Sequence, residues 1–142
     1  MDHMLRFLLL FLILGAVVSV AVNAAEEARS SQPTIVTFGE DGVQRVTIVL
    51  DSYSYSPDHI VVQAGKPVEL KLTSVTTFTP HNFVLKDGAS QLSVERDVSA
   101  GKTLTVQFTP MQKGVFAFYC DKKLLFFPSH REKGMEGKLE VR

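Results

Sequence analysis

Potential metal ligands of three different kinds follow one another near the C-terminus of this sequence. Cys120, His130 and Met135 offer a thiol, an imidazole and a thioether, and a second imidazole, His81, lies upstream. Thiolate and thioether sulfur favour Cu(I), whereas imidazole nitrogen serves both oxidation states of copper. A trigonal set of two His and one Cys with a weak axial Met is used for electron transfer by copper. The residue types therefore predict one copper ion per chain.

Each of these residues also has a structural interpretation when it is taken alone. A free cysteine such as Cys120 is often a buried thiol, and a methionine such as Met135 readily fills gaps in a hydrophobic core. His81 could equally be a core histidine with its hydrogen bonds satisfied. Structural zinc sites rarely include Met, so zinc accounts for the set less well than copper. The order of four suitable donors favours the metal site over these alternatives.

The N-terminus has the pattern of a secretory signal peptide. Arg6 precedes an apolar run over residues 7–22, and the small-residue motif Val22-Asn23-Ala24 follows. This order predicts a signal peptide over residues 1–24 and a periplasmic or otherwise exported protein. An uncleaved membrane anchor is the alternative, although the run is shorter than the ~20 residues that span a bilayer comfortably. Residues 25–33 are small and polar, which predicts a flexible leader before a single domain over residues 34–142.

Charge and motif content exclude several classes of function. The sequence has 15 Lys or Arg and 15 Asp or Glu, so its formal net charge is zero. Nucleic-acid binding needs clustered basic charge, and we expect no nucleic-acid partner. No catalytic triad or carboxylate pair stands out, and phosphate-binding glycine motifs are absent. We therefore expect a protein that is not an enzyme.

Short alternating segments predict an all-β fold. Apolar and polar residues alternate over residues 68–73, 104–109 and 138–142, which is the period of a half-buried strand. Residues 43–50 and 114–120 are rich in β-branched or aromatic side chains, as strands are. Turn residues separate these segments, and no amphipathic helix interrupts them. The pattern favours a β-sandwich or barrel.

Several motifs resemble those of the cupredoxin family, the type 1 blue copper proteins similar to plastocyanin and azurin. The motifs are Pro80-His81-Asn82-Phe83, Phe118-Tyr119-Cys120 and the segment 130–137, together with the strand and turn over residues 56–68. The resemblance implies a Greek-key β-sandwich of about seven to eight strands. It also implies that His81, Cys120, His130 and Met135 hold the copper ion and that Asn82 ties the two ligand loops together by hydrogen bonding.

The spacing between Cys120 and His130 departs from the family pattern. Nine residues separate them, more than family members usually have. The added segment contains the apolar run Leu124, Leu125, Phe126 and Phe127 behind two lysines. This run has two interpretations: it packs across one end of the sandwich as core, or it forms an apolar surface patch for a partner.

The resemblance implies an exported one-electron carrier that cycles between Cu(I) and Cu(II) and exchanges electrons with protein redox partners, most simply as a monomer. Two alternatives remain open at this point. One is a periplasmic copper-binding protein for delivery or storage, and the other is an accessory subunit of a membrane oxidase or reductase. Contact with a membrane is expected only if the N-terminal segment is retained.

Overall fold

The computed structural model describes residues 32–142, and ten β-strands account for its regular secondary structure. The strands are β1 (Thr34–Ile35), β2 (Gln44–Asp51), β3 (Ser54–Ser56), β4 (His59–Val62), β5 (Val68–Ser74), β6 (His81–Asp87), β7 (Leu92–Val98), β8 (Thr103–Phe108), β9 (Gly114–Tyr119) and β10 (Glu136–Val141). Within this part of the chain no helix is long and apolar enough to cross a membrane. The predicted signal segment and most of the predicted leader lie outside the described residues.

The strands form two mixed sheets. The larger has the order β1-β4-β10-β9-β6-β7, and the smaller has the order β3-β2-β5-β8. One hydrophobic core takes side chains from both sheets. The predicted all-β sandwich is therefore confirmed. The ten strands exceed the expected number because β1 and β3, of two and three residues, are too short to produce a detectable alternation in the sequence.

The core lies directly beneath the end of the sandwich where β6 begins and β9 ends. In β5 the predicted alternation holds, since Val68, Leu70 and Leu72 are all fully buried. Phe83 of β6 and Phe118 of β9 stack with their ring centroids 5.1 Å apart. These two rings belong to the strands that carry His81 and Cys120, so packing of the core also fixes the strand ends that carry the potential ligands.

Gly137 tests how tightly this part of the core is packed. It lies opposite Phe118 on the neighbouring strand, and an added Cβ would collide with the Phe118 ring and with the Asp58 carbonyl oxygen. We predict that Gly137→Ala lowers the free energy of unfolding by about 1–3 kcal/mol, because overpacking forces the ring or the backbone to shift. Urea denaturation measures the change.

The matched control is Gly88→Ala, because no atom lies within 4 Å of a Cβ built at Gly88. Equal stabilities of the two variants would show that the contact between β9 and β10 is not tight.

Candidate metal centre

Three of the four predicted ligands converge at one end of the sandwich. The donor atoms of His81, Cys120 and His130 all lie within 4.8 Å of one another. The two Nδ1 atoms of the histidines are 3.3 Å apart, and Cys120 Sγ is 3.4 Å from His130 Nδ1. All three side chains are buried. Two nitrogens and a sulfur thus face one another in a space protected from water.

Strand pairing positions His81 and Cys120. β6 and β9 run antiparallel, with Val84 opposite Tyr119 and Leu85 opposite Phe118. The same register, continued toward the end of the sheet, brings the start of β6 beside Cys120. There the backbone N–H of Asn82 donates a hydrogen bond of 3.3 Å to Cys120 Sγ. Sheet geometry therefore fixes the sulfur relative to the first histidine.

A compact turn positions His130 and Met135. The N–H of His130 donates to the Lys122 carbonyl at 2.8 Å, and the N–H of Met135 donates to the His130 carbonyl at 2.9 Å. The Met135 carbonyl in turn accepts from the N–H of Cys120 at 3.1 Å. The Met135 side chain is fully buried. These bonds place Met135 beside both Cys120 and His130 in the backbone, although Met135 is not one of the three residues whose donor atoms converge.

A capping box stabilises the start of this turn. Ser129 donates from its N–H and its hydroxyl to the Glu132 carboxylate, and the N–H of Glu132 donates back to Ser129 Oγ. Such reciprocal bonds are typical of a helical first turn. At the other end, Gly134 has a φ of +97°, in a region that favours glycine. The turn is thus defined at both ends, independently of the long segment that precedes it.

The sequence matches the profile of the Cupredoxin-like domain family over residues 10–139. The chain belongs to this family. No curated protein sequence matches it. The solved structures described below are each under 25% identical to this chain, so their similarity shows a shared fold and nothing more.

Three solved structures show which kinds of protein share this fold. The metal-binding domain of the Streptococcus pneumoniae Cu(I)-exporting P-type ATPase CopA, solved with Cu(I), has a TM-score of 0.62 at 18% identity and covers 79% of this chain and 97% of its own. A dithionite-reduced auracyanin from Roseiflexus castenholzii has a TM-score of 0.58 at 17% identity, with coverage of 69% and 96%. A multicopper oxidase has a TM-score of 0.57 at 17% identity, with coverage of 75% of this chain and 45% of its own.

Copper is the cofactor of this cupredoxin-like domain. Family membership implies it, and the converging donors fit it, because two imidazole nitrogens and a thiol sulfur match the preferences of copper in both oxidation states. The facing Nδ1 atoms of His81 and His130 also fit a cation, since at most one proton can lie between two such nitrogens. His81 Nε2 is buried and has no hydrogen-bond partner among the described residues. No hydrogen bond within the described residues therefore orients the ring at this nitrogen.

Burial keeps both imidazoles ready to bind a cation. It lowers the pKa of His81 to about 4, and the nearby His130 adds to this effect. Burial, assisted by the charge of Lys133, also lowers the pKa of His130. Both rings are consequently neutral near pH 7, the state in which imidazole nitrogen binds metals. Burial raises the pKa of the Cys120 thiol, so binding of a metal ion at this sulfur releases a proton.

The Asn82 side chain joins the start of β6 to the residue after Cys120 by two hydrogen bonds. Its side-chain amide donates to Asp121 Oδ1 at 2.7 Å, and its side-chain carbonyl accepts from the N–H of Asp121 at 3.0 Å. The partner of Asn82 is thus the residue directly after Cys120. Asp121 is not among the residues predicted from the sequence, although its position next to the predicted thiolate ligand is a signal for it.

Two tyrosines contribute to the site and were also missed. Tyr55, which is buried, donates from its hydroxyl to the Asn82 carbonyl at 2.6 Å. Tyr53 places its ring edge-on to His130, with the centroids 4.9 Å apart, and Lys133 Nζ lies over the same Tyr53 ring at 4.2 Å from its centroid. Tyr53 has a φ of +64°, which is unusual for a bulky residue. Tyr55 reaches the site from β3 and Tyr53 from the turn before it, and such long-range contacts leave no pattern in the sequence.

The long segment between Cys120 and His130 lies on the surface. All four side chains of the run Leu124, Leu125, Phe126 and Phe127 are exposed, so the surface interpretation is the one that the structure supports. Between this segment and the β5–β6 loop lies a cavity of about 490 Å³. His130 is part of the cavity wall, together with residues that include Phe78, Lys123 and Phe127. The long loop therefore covers His130 without displacing it from the buried cluster.

Asn82→Ala tests the link between the ligand loops. The change removes both side-chain hydrogen bonds to Asp121 while the backbone N–H that reaches Cys120 remains. We predict a loss of about 1–3 kcal/mol in the free energy of unfolding, because two hydrogen bonds worth about 0.5–1.5 kcal/mol each are removed. We also predict an altered Cu(II) paramagnetic-resonance spectrum, because the loop that carries the thiolate is held less firmly.

Gln107→Ala is the control, since it removes only an exposed hydrogen bond to Glu69. Indistinguishable behaviour of the two variants would contradict a tie between the loops.

Proposed function

We propose that this domain is an exported one-electron carrier whose copper ion is held by His81, Cys120, His130 and Met135. The observation that carries the proposal is the convergence of three buried donor atoms at one end of the sandwich. Met135 enters as the fourth ligand through its burial and its backbone bonds to Cys120 and His130. When bound, copper supplies a site that gains and loses one electron.

The chain favours such a role because it restricts movement of the ligand side chains. Cys120 receives a hydrogen bond at its sulfur and is held through its backbone to Met135. His130 is held through its backbone to Lys122 and through its ring against Tyr53. Side chains fixed by packing and hydrogen bonds keep their geometry within narrow limits. A site that changes little between oxidation states requires little reorganisation at each electron transfer.

His130 is the route by which electrons would enter and leave. Cys120, His81 and Met135 have no exposed surface, whereas His130 is 8% exposed and lines the surface cavity. The exposed run over residues 124–127 surrounds this route, and we propose it as part of the surface that a redox partner meets. A single chain forms this surface, so the proposed electron transfer requires no oligomer.

The same ligand set argues against catalysis by this domain. Four protein ligands leave no open position for a substrate, which catalytic metal sites retain. The similarity to a multicopper oxidase concerns less than half of that chain and shows a shared fold. Export is proposed from the N-terminal pattern alone, and a buried lone Cys120 is compatible with an oxidising compartment.

Copper delivery or storage is the second candidate. It is favoured by the long exposed loop that leads to His130, since a movable ligand segment would ease exchange of the ion. The similar metal-binding domain of a Cu(I)-exporting ATPase points in the same direction. Rates of copper transfer to a chelator separate the two functions, because a carrier must retain its ion through many redox cycles.

The test is an absorption and paramagnetic-resonance spectrum of the Cu(II) form. We expect one copper per chain and an intense thiolate-to-copper charge-transfer band in the wild-type protein. Cys120→Ser should abolish the band, because it removes the thiolate. Met135→Leu should preserve the band in altered form, because the axial thioether is a weak ligand.

His59→Gln provides the control, since His59 lies outside the cluster and pairs with Glu140. A wild-type protein that binds copper without this band would refute the proposed carrier site and leave copper delivery as the better account.

A further inference from the structure

The long loop carries an exposed apolar cluster that neither the fold nor the copper site requires. The apolar tip is defined here as Phe78 of the β5–β6 loop together with Leu124, Leu125, Phe126 and Phe127. Phe78 is 90% exposed and Phe126 is 86% exposed. Phe78, Leu124 and Phe127 line the same cavity, so the two loops form one continuous surface. Large apolar clusters on a surface mark sites of interaction.

The loop conformation supports a role beyond folding. The N–H of Phe127 donates to the Leu124 carbonyl at 3.0 Å, which closes a turn with Leu125 and Phe126 at its centre. Leu125 has a φ of +49°, in the left-handed region that suits Gly, Asn or Asp. Two bulky apolar residues therefore occupy turn positions where small or polar residues fold more easily. Folding of the domain does not account for their presence at these positions.

Basic residues adjoin the apolar tip. Lys122 and Lys123 precede it directly, and the segments 75–80 and 122–131 contain no Asp or Glu. Of the nearby carboxylates, Asp97 pairs with Lys122 and Glu136 pairs with Arg131, whereas Asp121 and Glu132 form no ion pair within the described residues. Lys123 forms no ion pair within the described residues. The two segments that carry the apolar tip are therefore basic, and acidic residues lie only at their flanks.

We propose that the apolar tip inserts into the interfacial region of an anionic lipid bilayer, with Lys123 at the headgroups. Apolar side chains beside basic residues are the pattern of proteins that lie on membranes, where the side chains enter the acyl boundary and the cations meet anionic lipid. A folded protein partner needs a complementary face of about 800 Å². Single side chains exposed along a narrow turn fit a deformable lipid surface better.

Docking in this orientation turns the His130 side of the domain toward the bilayer. A redox partner embedded in the membrane would then meet both the electron route at His130 and the apolar tip, so the partner surface proposed above would be reached within the bilayer. That consequence rests on the proposed function, whereas insertion of the apolar tip does not, because it uses no copper ligand.

The experiment uses the full chain with one reporter. The sequence contains no tryptophan, so Phe126→Trp places a single fluorophore in the apolar tip. The apolar run at residues 7–22 could itself bind lipid, which makes a local readout necessary. The matched reporter is Met111→Trp, at an exposed position before β9 and therefore at the opposite end of that strand from Cys120. Both proteins are mixed with phosphatidylcholine vesicles, with and without phosphatidylglycerol and bromine-labelled lipid.

We expect a blue shift and bromine quenching only for F126W, and only with phosphatidylglycerol. Adding Lys123→Glu should weaken partitioning about 30-fold, because one attractive charge becomes a repulsive one and each contributes roughly a factor of five. Lys113→Glu, at the other end of the domain, should change it little. Leu125→Ser should weaken it about tenfold or more through loss of buried hydrocarbon, whereas Met111→Ser should not.

Three outcomes would overturn the proposal. One is equal quenching of both reporters, which would assign lipid contact to another part of the chain. Another is an F126W spectrum that vesicles do not change, which would favour a protein partner. The third is a concentration-dependent blue shift without vesicles, which would indicate self-association. The copper absorption band of the same samples tests the proposed function separately, because it depends on the copper site and not on lipid contact.

Discussion

A buried thiol that must act as a metal ligand needs a fixed sulfur, and the structure around Cys120 meets that need. The backbone N–H of Asn82 reaches the sulfur, the Met135 carbonyl accepts from the Cys120 N–H, and Asp121 is held by the Asn82 side chain. These contacts depend on the pairing of β6 with β9 and of β9 with β10. Strand pairing in the sandwich therefore places one sulfur beside two imidazoles.

The extended segment between Cys120 and His130 does not disturb this arrangement, because its two ends fix His130 and its middle faces solvent. The residues that fix His130 lie at the two ends of the segment, in its bond to the Lys122 carbonyl and in the turn that the Ser129 capping box begins. Residues 124–127 between them take no part in the core and project outward. Extra length in a surface loop costs little once its ends are fixed. The loop can thus acquire a binding role without disturbing the three converging donors.

Much of this arrangement is predictable from the sequence, because it depends on local patterns. Alternation over residues 68–73 predicts β5, and the donor types predict His81, Cys120 and His130 as one cluster. The roles of Tyr53 and Tyr55 are not predictable, because their contacts with His130 and Asn82 join residues that are far apart in the sequence. The position of the run at residues 124–127 is also undetermined, since apolar residues suit a core and an exposed interaction site equally.

The central claim is that the fold, rather than the metal, sets the positions of the ligands. High-resolution crystal structures of the metal-free, Cu(I) and Cu(II) forms test it most directly. The account predicts one copper bound by His81, Cys120, His130 and Met135, with the three core donors shifted by no more than about 0.5 Å between forms. A different ligand set, or rearrangement of the segment between Cys120 and His130 on oxidation, would contradict it.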